Sequence, residues 1–176
     1  MATESRLFLE TDFVPVELQS AYRTLAQDCD QVATEILSAM TTDDLQRVHG
    51  DCHVGNILWR HDTPHFVDLD DCILGPVVQD IWMFLNGDRN QREQQLADFI
   101  DGYEEFNDFD VRQLNWIEAL RTLRIMHHAA WLARRWSDPA FPKAFPWFGN
   151  QRFWAEHILE LREQLSVMNE PTIRLL

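Results

Sequence analysis

The stretch HGDCHVGNILWR at residues 49–60 decides the fold, together with the stretch HFVDLDD at residues 65–71. The first begins as a glycine-containing loop, in which Asp51 and Asn56 lie five positions apart, and ends in a short apolar run. The second is an apolar run that leads into acidic residues, of which Asp68 is the first. Two short apolar runs on either side of a polar HDTP loop of about four residues predict a β-hairpin.

Asp68 is expected to end the second strand of this hairpin, which would bring Asn56 and Asp68 together at its open end. An amide oxygen and a carboxylate that face each other form a site of hard oxygen ligands, which suits Mg²⁺ together with phosphate oxygens and water. The carboxylate of Asp51, in the preceding loop, is placed to accept a proton from an attacking hydroxyl group. A metal that holds phosphates and a base that orients the nucleophile are the parts that phosphoryl transfer requires.

The pattern HGDxHxxN at residues 49–56, followed by an apolar-apolar-Asp sequence that ends at Asp68, resembles the aminoglycoside phosphotransferase and choline kinase group. The stretch GPVVQDIWMFLNGD at residues 75–88 and the late loop DPAFPKAFPWF at residues 138–148 are similar to the bacterial stress-response Ser/Thr kinases within that group. In protein kinases the corresponding elements are an H-R-D-x-x-x-x-N loop and a D-F-G aspartate. The resemblance extends from about Pro15 to the C-terminus.

The resemblance implies a transferase that uses ATP and Mg²⁺ and moves the γ-phosphoryl group to a hydroxyl. The implied acceptor is a Ser or Thr of a protein substrate, and the alternative is a small-molecule kinase for an aminoglycoside, choline or homoserine-type acceptor. Carried over to this sequence, Asp51 would be the catalytic base. Asn56 and Asp68 would ligate Mg²⁺ and through it bind the nucleotide.

Four further residues are expected to support the site. By the same resemblance, His49 would hold the catalytic loop with hydrogen bonds, and Asp80 would brace that loop from the next helix. His53 is the second histidine of the motif. Asp70 is expected to face the site, because alternate residues of a strand share one face.

Each of these residues also has a simpler interpretation when it is taken alone. Asp51 follows a glycine, a pair that marks turns, and the acidic run 68–71 could be a solvated loop or a helix cap. An EF-hand that starts at Asp68 is excluded, since Ile73 and Gln79 occupy the positions of its required Gly and Glu. A zinc site around Cys52 and the two histidines lacks the usual C-x-x-C spacing. Only the joint spacing of the motif overturns the simpler interpretations.

Length, charge and cysteine content set further bounds. The 176 residues are enough for one domain, and the sequence is interpreted as one truncated kinase-like C-terminal lobe over residues 1–176. A net charge of −14 argues against nucleic-acid binding. The sequence has an odd count of three cysteines, and it shows neither a leader-like pattern in residues 1–20 nor a long apolar run. These features predict a cytoplasmic protein without a membrane segment. Cys52 and Cys72 lie beside the two acidic motifs. Burial as a small apolar side chain is the usual fate of a free cysteine and is expected for both, and a redox role stays open.

The whole pattern predicts an α-rich α+β fold, with a helix, one small hairpin and then four helices. The segment 137–150 is expected to be a loop held by buried aromatic rings. The helices are predicted at residues 15–40, 77–86, 91–106, 111–136 and 151–167.

Two parts of a complete kinase are not found in this sequence. There is no G-x-G-x-x-G loop, and the one lysine is Lys143, in the Pro/aromatic segment. No β-rich segment precedes Pro15, so the N-terminal ATP-binding lobe of the family is expected to be absent. We therefore expect the chain alone to be close to inactive. The face that this lobe would cover is expected to be apolar and to allow self-association.

Overall fold

The computed structural model describes residues 8–175, which form two compact units. The helical unit consists of the described residues up to Leu37 together with Glu118–Glu170. The strand-containing unit consists of Ser38–Ile117 and the described residues from Pro171 onward. Residues 1–7 and 176 lie outside the described residues. The predicted single domain included them, and the segment 1–20, in which no leader was predicted, begins with the first seven.

Short 3-10 helices lie between the regular elements and carry several of the residues discussed below. The described strands are β1 (Gln46–Val48), β2 (Ile57–Arg60), β3 (Thr63–Phe66) and β4 (Ile73–Gly75). The described α-helices are α1 (Val16–Leu37), α2 (Val78–Ile81), α3 (Arg89–Glu104), α4 (Ile117–Arg134), α5 (Ala140–Ala144) and α6 (Gln151–Met168), and residues 8–12 are also helical.

An aromatic core holds the helical unit together. Tyr22 of α1 and Trp154 of α6 are fully buried, and their rings meet edge to face with centroids 6.1 Å apart. His157, one turn further along α6, is buried and stacks on Tyr22 and on Phe153. Burial, together with the nearby charge of His128, lowers the pKa of His157 to about 4. His157 is therefore a neutral member of an apolar core at physiological pH.

Two small antiparallel sheets define the strand-containing unit. In the hairpin, β2 pairs with β3, and Ile57 lies opposite Phe66. In the second sheet, β1 pairs with β4, and Val48 lies opposite Ile73. Since β1 ends where the HGD sequence begins and β4 starts just after the acidic run, the second sheet brings these two motifs to the same end of one strand pair.

The hairpin was predicted, but its turn and the second sheet were not. The loop has two residues, His61 and Asp62, which both adopt left-handed backbone angles, and β3 already begins at Thr63. A two-residue turn with both φ angles positive matches the twist of a hairpin, but it usually carries Asn-Gly or Asp-Gly, so His-Asp gave no signal. The prediction of a single hairpin as the only strand structure was therefore wrong.

Most predicted helices are confirmed, with changes at their ends. The helix expected at residues 77–86 is the short α2 followed by a 3-10 turn, Trp82–Phe84, and the one expected at 111–136 begins as a 3-10 helix, Val111–Trp116, before α4. The segment expected to be a loop at 137–150 contains α5. Its rings pack against one another, but of the four only Phe148 is buried, and Trp147 is 40% exposed.

No helix within residues 8–175 is both long enough and apolar enough to cross a membrane.

Candidate active site

The backbone that leads to Asp51 is anchored by helix α2. Both carboxylate oxygens of Asp80 accept hydrogen bonds from this backbone, at 2.7 Å from the His49 N–H and at 2.9 Å from the Gly50 N–H. The side chain of Gln79 donates to the Gly50 carbonyl at 2.9 Å. Helix α2, which follows the loop by thirty residues in the sequence, therefore fixes three backbone groups of the loop.

Gly50 is required at its position by space and by conformation. Its φ angle is +87°, in the region that favours glycine, and a Cβ atom there would lie 2.3 Å from the carbonyl oxygen of Asp71. The loop of Asp51 therefore packs directly on the backbone of the acidic turn.

Asn56 closes the same loop from its other end. Its Nδ2 donates to the Asp51 carbonyl at 3.0 Å, and the side chain is buried. Because the nitrogen side of the amide is used in this contact, its oxygen Oδ1 is the atom left to meet a cation.

His53 lies beside the Asp51 carboxylate. Its Nδ1 accepts from the Gly55 N–H at 3.0 Å, so the ring proton of the neutral form resides on Nε2. That Nε2 lies 3.8 Å from Asp51 Oδ2, a distance beyond a hydrogen bond but close enough for electrostatic attraction. Gly55 leaves room for this ring, since a Cβ atom there would lie 2.7 Å from His53 Cε1.

His49 connects the loop to the segment that carries Asp68. It is buried, and its Nε2 donates to the Val67 carbonyl at 2.8 Å. The Val67 N–H in turn donates to the Asn56 carbonyl at 3.0 Å, which extends the hairpin by one step. Val67 is therefore bound on both sides, and Asp68 follows it directly.

Asp68 has an unusual backbone. It precedes the 3-10 helix Leu69–Asp71 with φ 61° and ψ 57°, a left-handed conformation that is uncommon for residues other than glycine and that Asp and Asn tolerate best. The expectation that Asp68 ends the hairpin strand is wrong, because β3 ends at Phe66. The expectation for Asp70 used a wrong premise, because Asp70 lies in that 3-10 turn and not in a strand, and it is exposed.

The segments that carry the predicted site residues are thus brought together in one unit of the structure. Asp51 and Asn56 are in direct contact, His53 lies beside Asp51, and the backbones of the two motifs touch at Gly50 and Val67. Asp80 binds the loop from α2. Sequence reasoning missed Gln79, because a glutamine in a helical pattern carries no sign of the loop carbonyl that it meets.

Asn56 and Asp68 would offer a cation two oxygen ligands, so most of its ligands would come from elsewhere. Among residues 8–175 no group of three or more His, Cys, Asp or Glu side chains is placed to hold a metal ion. One amide oxygen and one carboxylate, as Asn56 and Asp68 offer, would suit Mg²⁺, which usually keeps several waters and phosphate oxygens as ligands.

The cysteines near the motifs differ from each other. Cys52 is buried, and burial together with the charges of Asp80 and Asp51 raises the pKa of its thiol to about 11. At neutral pH it is protonated and therefore a poor nucleophile. Cys72 is exposed, whereas the sequence favoured burial for both.

Comparison with known proteins agrees with this arrangement. Residues 3–117 match the phosphotransferase enzyme family, APH. The chain belongs to this family. The family membership and the α-rich fold that the HGDxHxxN motif predicted are confirmed.

Similar proteins in bacteria carry kinase names. Stress response kinase A of Escherichia coli K12 is 43% identical over 175 residues, which are 97% of this chain and 51% of that protein. The serine/threonine protein kinase RdoA of Salmonella typhimurium is 50% identical over 129 residues, which are 73% of this chain and 39% of that protein. The chain therefore spans about half the length, or less, of the curated relatives that it matches, and the resemblance to the stress-response kinases is confirmed.

A solved structure is also similar, at a lower level. It is the spectinomycin phosphotransferase APH(9)-Ia in complex with ADP and spectinomycin, with 18% identity and a TM-score of 0.45 over 97% of this chain and 45% of that protein.

Proposed function

We propose that this chain carries the catalytic loop and the metal site of a kinase that transfers the γ-phosphoryl group of ATP to a Ser or Thr hydroxyl of a protein. The observation that carries the proposal is the anchoring of one loop, residues 49–56, against the turn that begins at Asp68. The names of the relatives support a protein acceptor. As in those relatives' names, we infer a role in a stress response, and we propose that the protein acts in the cytoplasm.

In the proposed mechanism, Mg²⁺ supplies charge stabilisation for the phosphates of ATP when it is bound. Asn56 Oδ1 and the Asp68 carboxylate would ligate it. The left-handed backbone of Asp68 supports this role, because backbone angles of this kind cost of order 1–3 kcal/mol and cluster at functional sites.

Asp51 would accept the proton of the attacking hydroxyl group. Its side chain is partly exposed, at 16%, so an acceptor can reach it. His53 Nε2 would attract one of its oxygens and thereby limit the rotation of the carboxylate. His49 and Asp80 would keep the loop in place.

The acceptor is tested with the longest polypeptide that the gene encodes. We expect Mg²⁺-dependent transfer of labelled phosphate from ATP to a protein acceptor, and no transfer to choline, homoserine or an aminoglycoside. Transfer to a small amino alcohol alone would replace the protein acceptor with the alternative. The 176-residue chain by itself should turn over far below the roughly 1–100 s⁻¹ of ordinary kinases.

The role of Asp51 is tested by Asp51→Asn. The substitution keeps the size of the side chain but removes the base, so turnover should fall by about 10²–10⁴-fold. Asp98→Asn, at an exposed position of α3, is the matched control and should leave turnover unchanged. Equal turnover of Asp51→Asn and wild type would refute the assignment of the base.

Self-association is a second candidate function, and one observation favours it. Large apolar side chains are exposed between residues 54 and 74 of the strand-containing unit, among them Trp59 at 70% and Leu74 at 69%. Surfaces of this kind commonly mark sites of association. We expect the sedimentation coefficient to rise with concentration and Leu74→Ser to abolish the rise; a strict monomer at all concentrations would exclude this function.

A further inference from the structure

The peptide groups on the two sides of Gly50 are held by two different side chains. The Gly50 N–H belongs to the peptide group that follows His49, and it donates to Asp80 Oδ1 at 2.9 Å. The Gly50 carbonyl belongs to the peptide group that precedes Asp51, and it accepts from Gln79 Nε2 at 2.9 Å. Asp80 therefore fixes the first peptide plane, and Gln79 fixes the second.

The second plane controls the direction of Asp51. A peptide group is planar, so the position of its carbonyl also determines where the next nitrogen and Cα lie. Glycine, with a φ of +87°, has more rotational freedom than any other residue at this point. Without a bond to the Gly50 carbonyl, rotation about the Gly50 Cα–C bond would redirect the Asp51 side chain.

Gln79 completes an unbroken series of such contacts. The peptide group after Asp51 is bound through its carbonyl by Asn56 Nδ2 at 3.0 Å. Asp80, Gln79 and Asn56 thus hold three successive peptide groups on the two sides of Gly50 and Asp51. Of these three residues, Gln79 is the one to which the sequence motif gave no role.

The helix that carries Gln79 is itself fixed at its start. The Val78 N–H donates to Gln113 Oε1 at 3.4 Å, and Gln113 is buried in the strand-containing unit. The Gln79 N–H donates to the Pro76 carbonyl at 3.0 Å. The donor of Gln79 is therefore presented from an anchored turn.

We propose that Gln79 is a positioning residue, which holds the Gly50–Asp51 peptide group so that the Asp51 carboxylate keeps one orientation toward its acceptor. The inference rests on the proposed role of Asp51 as the base. It requires a hydrogen-bond donor at position 79: Met has similar length but no donor, and Glu places acceptor oxygens against the carbonyl, close to the charge of Asp80.

The structural half of the proposal is tested by amide hydrogen exchange of the 176-residue chain, followed by NMR. In Gln79→Met the amides of residues 49–52 should exchange about tenfold faster, which corresponds to about 1.4 kcal/mol, and in Gln79→Glu at least as fast. Gln94→Met, on the exposed side of α3, is the matched control and should leave these amides unchanged. If the amides of residues 49–52 exchange at the wild-type rate in both Gln79 variants, the proposal is overturned.

The catalytic half is tested by turnover in the longest polypeptide that the gene encodes. Gln79→Met and Gln79→Glu should lower kcat by about tenfold or more and change the KM for ATP less than twofold, because the base is misdirected while the metal ligands stay in place. If Gln79 only filled space, Glu, which has the same size, could replace it without loss of kcat. A wild-type kcat in Gln79→Glu would therefore overturn the proposed positioning role.

Failure of the proposed function would look different. If Asp51→Asn keeps full turnover, the base is assigned wrongly, whatever the Gln79 variants do. If Asp51→Asn is inactive and both Gln79 variants exchange and turn over like wild type, only the inference about Gln79 fails.

Discussion

The loop of residues 49–56 and the aromatic core of the helical unit are stabilised in opposite ways. The loop is held by directed hydrogen bonds between side chains and backbone, such as the pair from Asp80. The core is held by ring burial, with Tyr22, Phe148 and Trp154 fully buried. Directed bonds fix orientation at a modest gain in stability, whereas apolar burial supplies stability without fixing a direction. Substitutions in the loop should therefore affect chemistry first, and substitutions in the core should affect stability first.

The largest effect on stability is expected from Trp154→Ala. Removal of a fully buried aromatic side chain should lower the free energy of unfolding by about 3–5 kcal/mol, measured by urea denaturation. Trp59→Ala, in the exposed hairpin, is the matched control and should cost less than about 0.5 kcal/mol. Equal losses in the two variants would contradict the view that the aromatic core carries the stability.

A pH-dependent effect of similar size is expected from His157. Because burial lowers its pKa to about 4 in the folded state, the unfolded state binds a proton between pH 6.5 and 4 that the folded state does not bind. Stability should therefore fall by about 3 kcal/mol as the pH drops through this window, and it should not change through His157 above it. Ionisable groups beside it are His128, on α4, Glu160, one turn along α6, and the stacked Tyr22.

His157→Phe is the variant that isolates this effect. Phenylalanine preserves the stacking on Tyr22 and Phe153 but cannot bind a proton. Urea denaturation at several pH values should show a flatter profile between pH 6.5 and 4 for the variant than for wild type. The same slope in both proteins would mean that His157 is not buried as a neutral residue.

A smaller effect is expected from Gly50 in the loop, which is compared with Gly102 in helix α3. Gly50→Ala should destabilise the strand-containing unit by about 1–3 kcal/mol, because of its positive φ and the contact with the Asp71 carbonyl. Gly102→Ala should instead stabilise by about 0.5–1 kcal/mol, since it lies in α3 with open space around its Cβ position. Thermal unfolding checks both, and the comparison fails if the two variants shift the midpoint in the same direction.

The sequence was informative where chemistry and spacing coincide. The motif from His49 to Asn56 led to the family, and apolar periodicity predicted α1 and α6 to within a few residues. Periodicity could not predict the β1–β4 sheet, because three-residue strands are too short to show an alternating pattern.

The support of the site was harder to predict than its chemistry. The contact of Gln79 with Gly50 and the left-handed backbone at Asp68 depend on residues brought together from distant parts of the chain. No local pattern of side chains encodes such contacts. Asp70 shows the same limit. Its orientation was inferred on the assumption of a strand, but the chain forms a 3-10 turn there.

Binding of Mn²⁺ to the 176-residue chain, followed by NMR line broadening with ATP present, tests the central claim most directly, because it does not depend on turnover. The account predicts that signals from Asp51, Asn56 and Asp68 broaden first, and that Asp68→Asn weakens the effect at least tenfold while Asp98→Asn leaves it unchanged. Broadening that begins elsewhere in the chain, or that survives Asp68→Asn at the same Mn²⁺ concentration, would contradict it.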